Sequence, residues 1–195
     1  MKKLFVLLVM VAMIAPSSVL RAQDVYRNGY VGLTVGPAYM TGELKGYKDY
    51  FETLGFGFSI NAGYLLWPNI GVSASIFGTS FATKASTNDN TLGLMGFLVG
   101  PLFSTATRNE KVEFDFRPTI GFARGSATAG TQSASTKSST IAFGAGASIR
   151  WNAWSRVSLS FNVDYYYGKP KDDSSQRVEM DLSSVGASVG ANFRF

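Results

Sequence analysis

The chain has 195 residues, a formal charge of +5 at neutral pH, no cysteine and no histidine. That length suits one domain after any leader is removed. The missing cysteine excludes a disulfide framework and a lipid-modified N-terminal cysteine, and the missing histidine excludes Ser–His triads and most zinc sites.

Met1 to Ala22 reads as a secretory signal peptide, with Lys2 and Lys3 as its basic start, Leu4 to Ala15 as its apolar run, and Leu20-Arg21-Ala22 as a cleavage site. The competing reading, a membrane-anchoring helix, needs roughly 18–20 apolar residues, more than this run supplies. Residues 23–195 are then the mature domain. Loss of Lys2, Lys3 and Arg21 takes the formal charge to about +2, which removes the electrostatic case for nucleic-acid binding.

Eight alternating segments follow: Gly29–Met40, Leu54–Leu66, Ile70–Ala82, Thr91–Thr105, Val112–Arg124, Thr140–Trp151, Arg156–Gly168 and Asp181–Phe195. Each is about as long as a tilted membrane strand, and none holds a helical period. Their connections alternate in length. Residues 67–69, 106–110 and 152–155 make short turns, whereas 41–53, 83–90, 125–139 and 169–180 make longer polar loops. Short turns at one end and long loops at the other is the layout of an outer-membrane barrel. The predicted fold is therefore an all-β, eight-stranded antiparallel transmembrane β-barrel.

The seventh segment shows the two faces most clearly. Val157, Leu159, Phe161, Val163, Tyr165 and Tyr167 share one face; Arg156, Ser158, Ser160, Asn162, Asp164 and Tyr166 share the other. Alternation alone fits both a soluble cup with its greasy face inward and a lipid-embedded barrel with that face outward. The leader, the loop asymmetry and the tryptophans favour lipid. Trp67, Trp151 and Trp154 all sit in or beside short turns, where an interfacial ring would lie. Tyr30, Tyr64, Tyr165 and Tyr167 are read with them as membrane-interface aromatics. Gly and Ser are expected to fill a tight interior.

Glu113, Asp115, Arg117, Arg150, Arg156, Asp164 and Arg194 fall on the inward parity and are expected to form an interior charge network. Two readings stay open: a charged gate, and an ion-pair network sealing a barrel too narrow to conduct. Arg150 or Arg194 is expected to pair with Glu113 or Asp115. Arg124 falls on the outward face. The carboxylates Glu113 and Asp115 also have acid–base spacing, but nearby arginines favour ion pairing. Gly144-Ala-Gly146 lacks the helix that a phosphate loop needs. Asp89 and Asp172-Asp173 are too isolated for a calcium site.

The last segment, VGASVGANFRF, alternates apolar and small residues and ends on Phe193 and Phe195. This ending resembles the C-terminal assembly signal of bacterial outer-membrane barrels. With the leader and the eight strands, the whole mature chain resembles the small barrels of the OmpA/OmpX type, without the periplasmic domain of the larger members. The resemblance implies the outer membrane of a Gram-negative bacterium, contact with membrane lipid and lipopolysaccharide, and insertion by the barrel assembly machinery. Enzymes of this architecture that act on lipid A rely on histidine, so no enzymatic activity and no cofactor are expected. The expected role is structural, in envelope integrity or surface interaction, carried by the loops. Loop 41–53, with Tyr47, Tyr50 and Phe51 among mixed charges, suits a surface or envelope protein partner. The alternatives are a narrow pore for small or apolar solutes and an accessory subunit of a secretion or uptake complex.

Overall fold

Period-two alternation becomes a continuous antiparallel ladder. The computed structural model describes residues 28–41, 52–82, 91–129, 132–134, 139–169 and 182–195. They form β1 (Gly29–Met40), β2 (Leu54–Leu65), β3 (Ile70–Ala82), β4 (Thr91–Ala106), β5 (Val112–Ala129), β6 (Gln132–Ala134), β7 (Ser139–Trp151), β8 (Val157–Gly168) and β9 (Leu182–Arg194). Neighbours in the sheet follow chain order, except that β6 pairs only with the far end of β5 and β7 takes its place in the ring. Pairing of β1 with β9 closes eight strands into a barrel. Closure leaves no sheet edge, which is what a β structure needs to cross hydrocarbon. The leader, most of the long loops and residues such as Asp89, Lys137 and Asp172-Asp173 lie outside the described residues.

The strands match the predicted segments to within a residue or two, with one correction. Residues 125–139 were expected to form a loop, yet β5 continues to Ala129 and turns back through β6. The small side chains suggested a loop, but backbone pairing decides. Ser126, Ala127 and Thr128 lie opposite Gly93, Leu92 and Thr91, so their strand has a partner.

Large apolar side chains cover the outside, among them Leu33, Ile60, Ile76, Phe97, Phe143 and Phe161, each exposed on the barrel wall. Charge and amide groups turn inward. On the outer wall Phe58 lies opposite Gly78, and its ring occupies the space that a Cβ at Gly78 would need. A ring laid over a cross-strand glycine restores apolar cover to an otherwise bare stretch of backbone.

Two seams are irregular: between β1 and β9 the pairing skips Gly36 and Pro37, where Pro37 has no N–H to give, and the β4–β5 seam is interrupted more widely. Between β4 and β5 the pairing stops after Val99–Ile120 and resumes at Phe103–Phe116. That register sets Pro101 opposite Pro118. Neither residue has an N–H, so the two bonds such a pair would exchange are both missing. Their other neighbours, Val72 and Ala145, remain in the ladder. The two missing donors thus fall on the same gap, and a single seam bears the loss.

Candidate functional site

The barrel interior is built in two tiers. The end that carries the short turns is polar and charged; the end that carries the long loops is apolar.

In the polar tier, β5 supplies Glu113, Asp115 and Arg117, β7 supplies Arg150, β8 supplies Asp164 and β9 supplies Arg194. Cross-strand register brings them together: Glu113 lies opposite Arg150, and Arg117 lies opposite Gly146, which in turn faces Asp164. Arg150 Nε donates to Asp115 Oδ2 at 2.7 Å, and its Nη2 donates to Glu113 Oε2 at 2.6 Å. Glu113 Oε1 accepts from Arg194 Nη2 at 3.0 Å and from Asn152 Nδ2 at 2.8 Å. Ser148 Oγ donates to Asp115 Oδ2 at 3.3 Å. Deeper in, Arg117 Nη2 donates to Asp164 Oδ1 at 3.2 Å and to Asn162 Oδ1 at 3.3 Å.

Three guanidiniums thus meet three carboxylates. Taking any one of these ions out of water is costly, and only the pairing and the surrounding hydrogen bonds offset that cost. Gly146 leaves room for this pair: a Cβ at that position would press on Asp164 Oδ1 and lie tight against the Arg117 guanidinium, so the pair would have to shift.

Two residues depart from the sequence reading. Tyr30, expected at the membrane interface, is only 3 % exposed and lies inside. Its hydroxyl accepts from Arg117 Nη1 at 3.3 Å, and Arg150 Cζ sits 3.9 Å from its ring centroid. It links the two arginine groups, one through oxygen and one through its π face. The signal was available, since Tyr30 shares parity with Gly32 and Thr34, which also point inward. Arg156, expected in the charge network, is exposed at the rim. β8 begins one residue later, and a guanidinium that can reach water stays there, because burial without a carboxylate would cost several kcal/mol.

The other predicted positions fall as follows. Trp67 and Trp154 are 62 % exposed and Trp151 is 53 % exposed, all at the short-turn end. Tyr64 and Tyr165 face outward, and Tyr167 is half-buried. Phe193 and Phe195 are exposed on the outer wall. Arg124 also faces outward.

The apolar tier was missed by an expectation of Gly and Ser. Phe77 and Tyr166 stack with centroids 3.9 Å apart and planes 6° from parallel. Above them Met40, Phe81, Leu92, Leu94 and Leu182 join the same buried cluster. β4 is the source of the miss. It is apolar on both faces, with Leu92, Leu94, Leu98 and Leu102 inward and Met95, Phe97 and Val99 outward. Inward parity of Phe77 and Phe81 in β3 was the legible sign of this plug.

What remains empty is small. A void of about 10 Å³ lies beside Arg117 and Asp164, and one of about 20 Å³ lies beside Thr34, Ser59 and Tyr166. Each has room for about one water molecule. Among the described residues no cluster of three metal-ligating side chains occurs, and both carboxylates of the Glu113–Asp115 pair are engaged by Arg150.

Solved structures with this architecture include a neisserial surface protein, NspA, at 18 % identity and a TM-score of 0.63, covering 86 % of this chain and 97 % of that one. They also include Ail, the attachment invasion locus protein of Yersinia pestis, at 23 % identity and a TM-score of 0.54, covering 86 % of this chain and 99 % of that one. These likenesses are of fold. No curated protein matches the sequence. A family model described as the outer membrane protein beta-barrel domain matches residues 5–195, and the chain belongs to that family, whose members reside in the outer membrane of Gram-negative bacteria.

Proposed function

We propose that this protein is a sealed outer-membrane barrel that presents its extracellular loops for surface contact. The sealed interior is the observation that carries the reading. Among the described residues, a charge network at the periplasmic end and an aromatic plug at the outer end fill the interior, and the voids beside Arg117 and Tyr166 are water-sized. A pore for solutes would need a continuous path past both tiers, and the interior carboxylates Glu113, Asp115 and Asp164 are all engaged by arginines. The parts left to meet a partner are the loops.

Their chemistry narrows the partner. Residues 41–53, 83–90, 125–139 and 169–181 together carry seven basic and eight acidic side chains. Ail has been crystallised with a heparin analogue, but near-neutral loops do not favour a polyanion by charge alone. Loop 41–53, with its tyrosines and Phe51, suits a protein surface, since aromatic residues dominate the central contacts of interfaces. Replacing residues 44–51 by a Gly/Ser segment is expected to abolish cell adhesion to a protein-coated surface while leaving the heat-dependent gel shift of the folded barrel intact. Unchanged adhesion at equal surface abundance would contradict the proposal.

A further inference from the structure

The periplasmic rim carries a shallow basic hollow beside an apolar one. The turn at 107–111 is braced from within. Thr107 Oγ1 donates to Asn109 Oδ1 at 2.8 Å, and the Lys111 amide donates to the same oxygen at 3.2 Å. Glu110, at a φ of 54°, closes the turn in the left-handed region. The turn is then tied to its neighbour. The Asn152 amide donates to the Lys111 carbonyl at 2.8 Å, and Asn152 Nδ2 donates to the Glu110 carbonyl at 2.6 Å. Arg108 and Lys111 are exposed on this braced turn. Together with Trp151 and Val112 they border a shallow, open hollow on the rim, with the exposed Glu110 on the same turn.

A second recess, of about 500 Å³, is lined mainly by the apolar side chains of Ile70, Phe103, Phe114, Phe116 and Ala147, with polar residues, Thr105 among them, completing its wall. Register places it directly beyond the first. Val112 lies opposite Trp151, and Phe114, the next outward residue of β5, lies opposite Ile149 and Thr105. The outer wall therefore offers a shallow cationic patch at headgroup depth and an apolar cleft two residues further into the hydrocarbon. Trp151 sits at the step between them, where an indole prefers to be.

A cleft open to hydrocarbon is filled by an acyl chain, and a basic patch at that leaflet's surface draws a phosphate. We propose that this rim binds one anionic phospholipid of the periplasmic leaflet, with its phosphate against Arg108 and Lys111 and one acyl chain along Phe103, Phe114 and Phe116. The site is independent of what the loops contact.

Trp151 reports on it directly. In the full-length mature barrel carrying W67F and W154F, refolded into mixed vesicles, quenching of Trp151 is compared for brominated phosphatidylglycerol and brominated phosphatidylcholine of the same chain length. The expected result is an association constant about fivefold higher for phosphatidylglycerol at low salt. The preference falls towards unity in R108Q/K111Q, and R124Q at the opposite end leaves it unchanged. Molar salt lowers the preference in the barrel with its basic turn intact, a readout that does not depend on the folding of R108Q/K111Q. Equal quenching by the two lipids, or a preference that survives both R108Q/K111Q and molar salt, would overturn the proposal.

Discussion

Arg150 touches two carboxylates and a π face at once, through 2.7 Å and 2.6 Å hydrogen bonds and the ring of Tyr30. Its replacement by methionine keeps much of the volume but leaves Glu113 and Asp115 buried with fewer partners. Loss of one member of a buried ion pair costs about 3–5 kcal/mol. Arg150→Met is therefore expected to lower the unfolding free energy of the refolded barrel, measured by urea titration, by an amount of that order. Arg156→Gln, at an exposed rim position, is expected to stay within about 0.5 kcal/mol of the parent. Equal effects from the two substitutions would contradict the account of the polar tier. The arginines and carboxylates of this tier were legible because charge is rare in the strands and parity sorts it. Tyr30 departs because a tyrosine near a strand end suits the interface by residue type while its parity points inward, and Arg156 because β8 begins only at Val157.

At the scale of elements, two seams are interrupted, β1–β9 at Gly36 and Pro37 and β4–β5 at a pair of facing prolines. Pro101 and Pro118 share one gap, so the ladder is interrupted between Val99–Ile120 and Phe103–Phe116. Every other seam of the barrel lacks such facing prolines. Amide exchange in the folded barrel is expected to be faster at Val99, Phe103, Phe116 and Ile120, whose N–H groups flank the gap on the β4–β5 seam, than at the corresponding depth of the β7–β8 seam, where pairing runs unbroken from Ala142–Gly168 to Trp151–Leu159. Uniform protection across both seams would contradict this. The prolines were visible in the sequence, but their opposition was not, because cross-strand register depends on turn lengths and strand tilt as well as on pattern. Strand positions were legible since lipid on one side and a packed interior on the other enforce strict alternation. β4 partly escaped that rule, because its inward face is apolar too. The far end of β5 escaped it for another reason: there the strand continues through backbone pairing with β4 and β6, which the residue types do not announce.

For the whole molecule, strand number sets the outcome. Eight strands leave an interior just wide enough for side chains, and this chain fills it twice, with ions at the periplasmic end and with Phe77 on Tyr166 towards the loops. Barrel, membrane and turn layout could be read from the sequence, whereas the two-tier filling could not, since parity says which residues point inward but not how they stack. The central claim is that nothing passes through. It is tested most directly by recording current across a planar bilayer that holds the refolded, heat-modifiable protein. The account predicts no discrete steps for the unsubstituted barrel at moderate voltage. Reproducible unitary currents that change on Arg150→Met would contradict it, and would make the charged tier a gate rather than a seal.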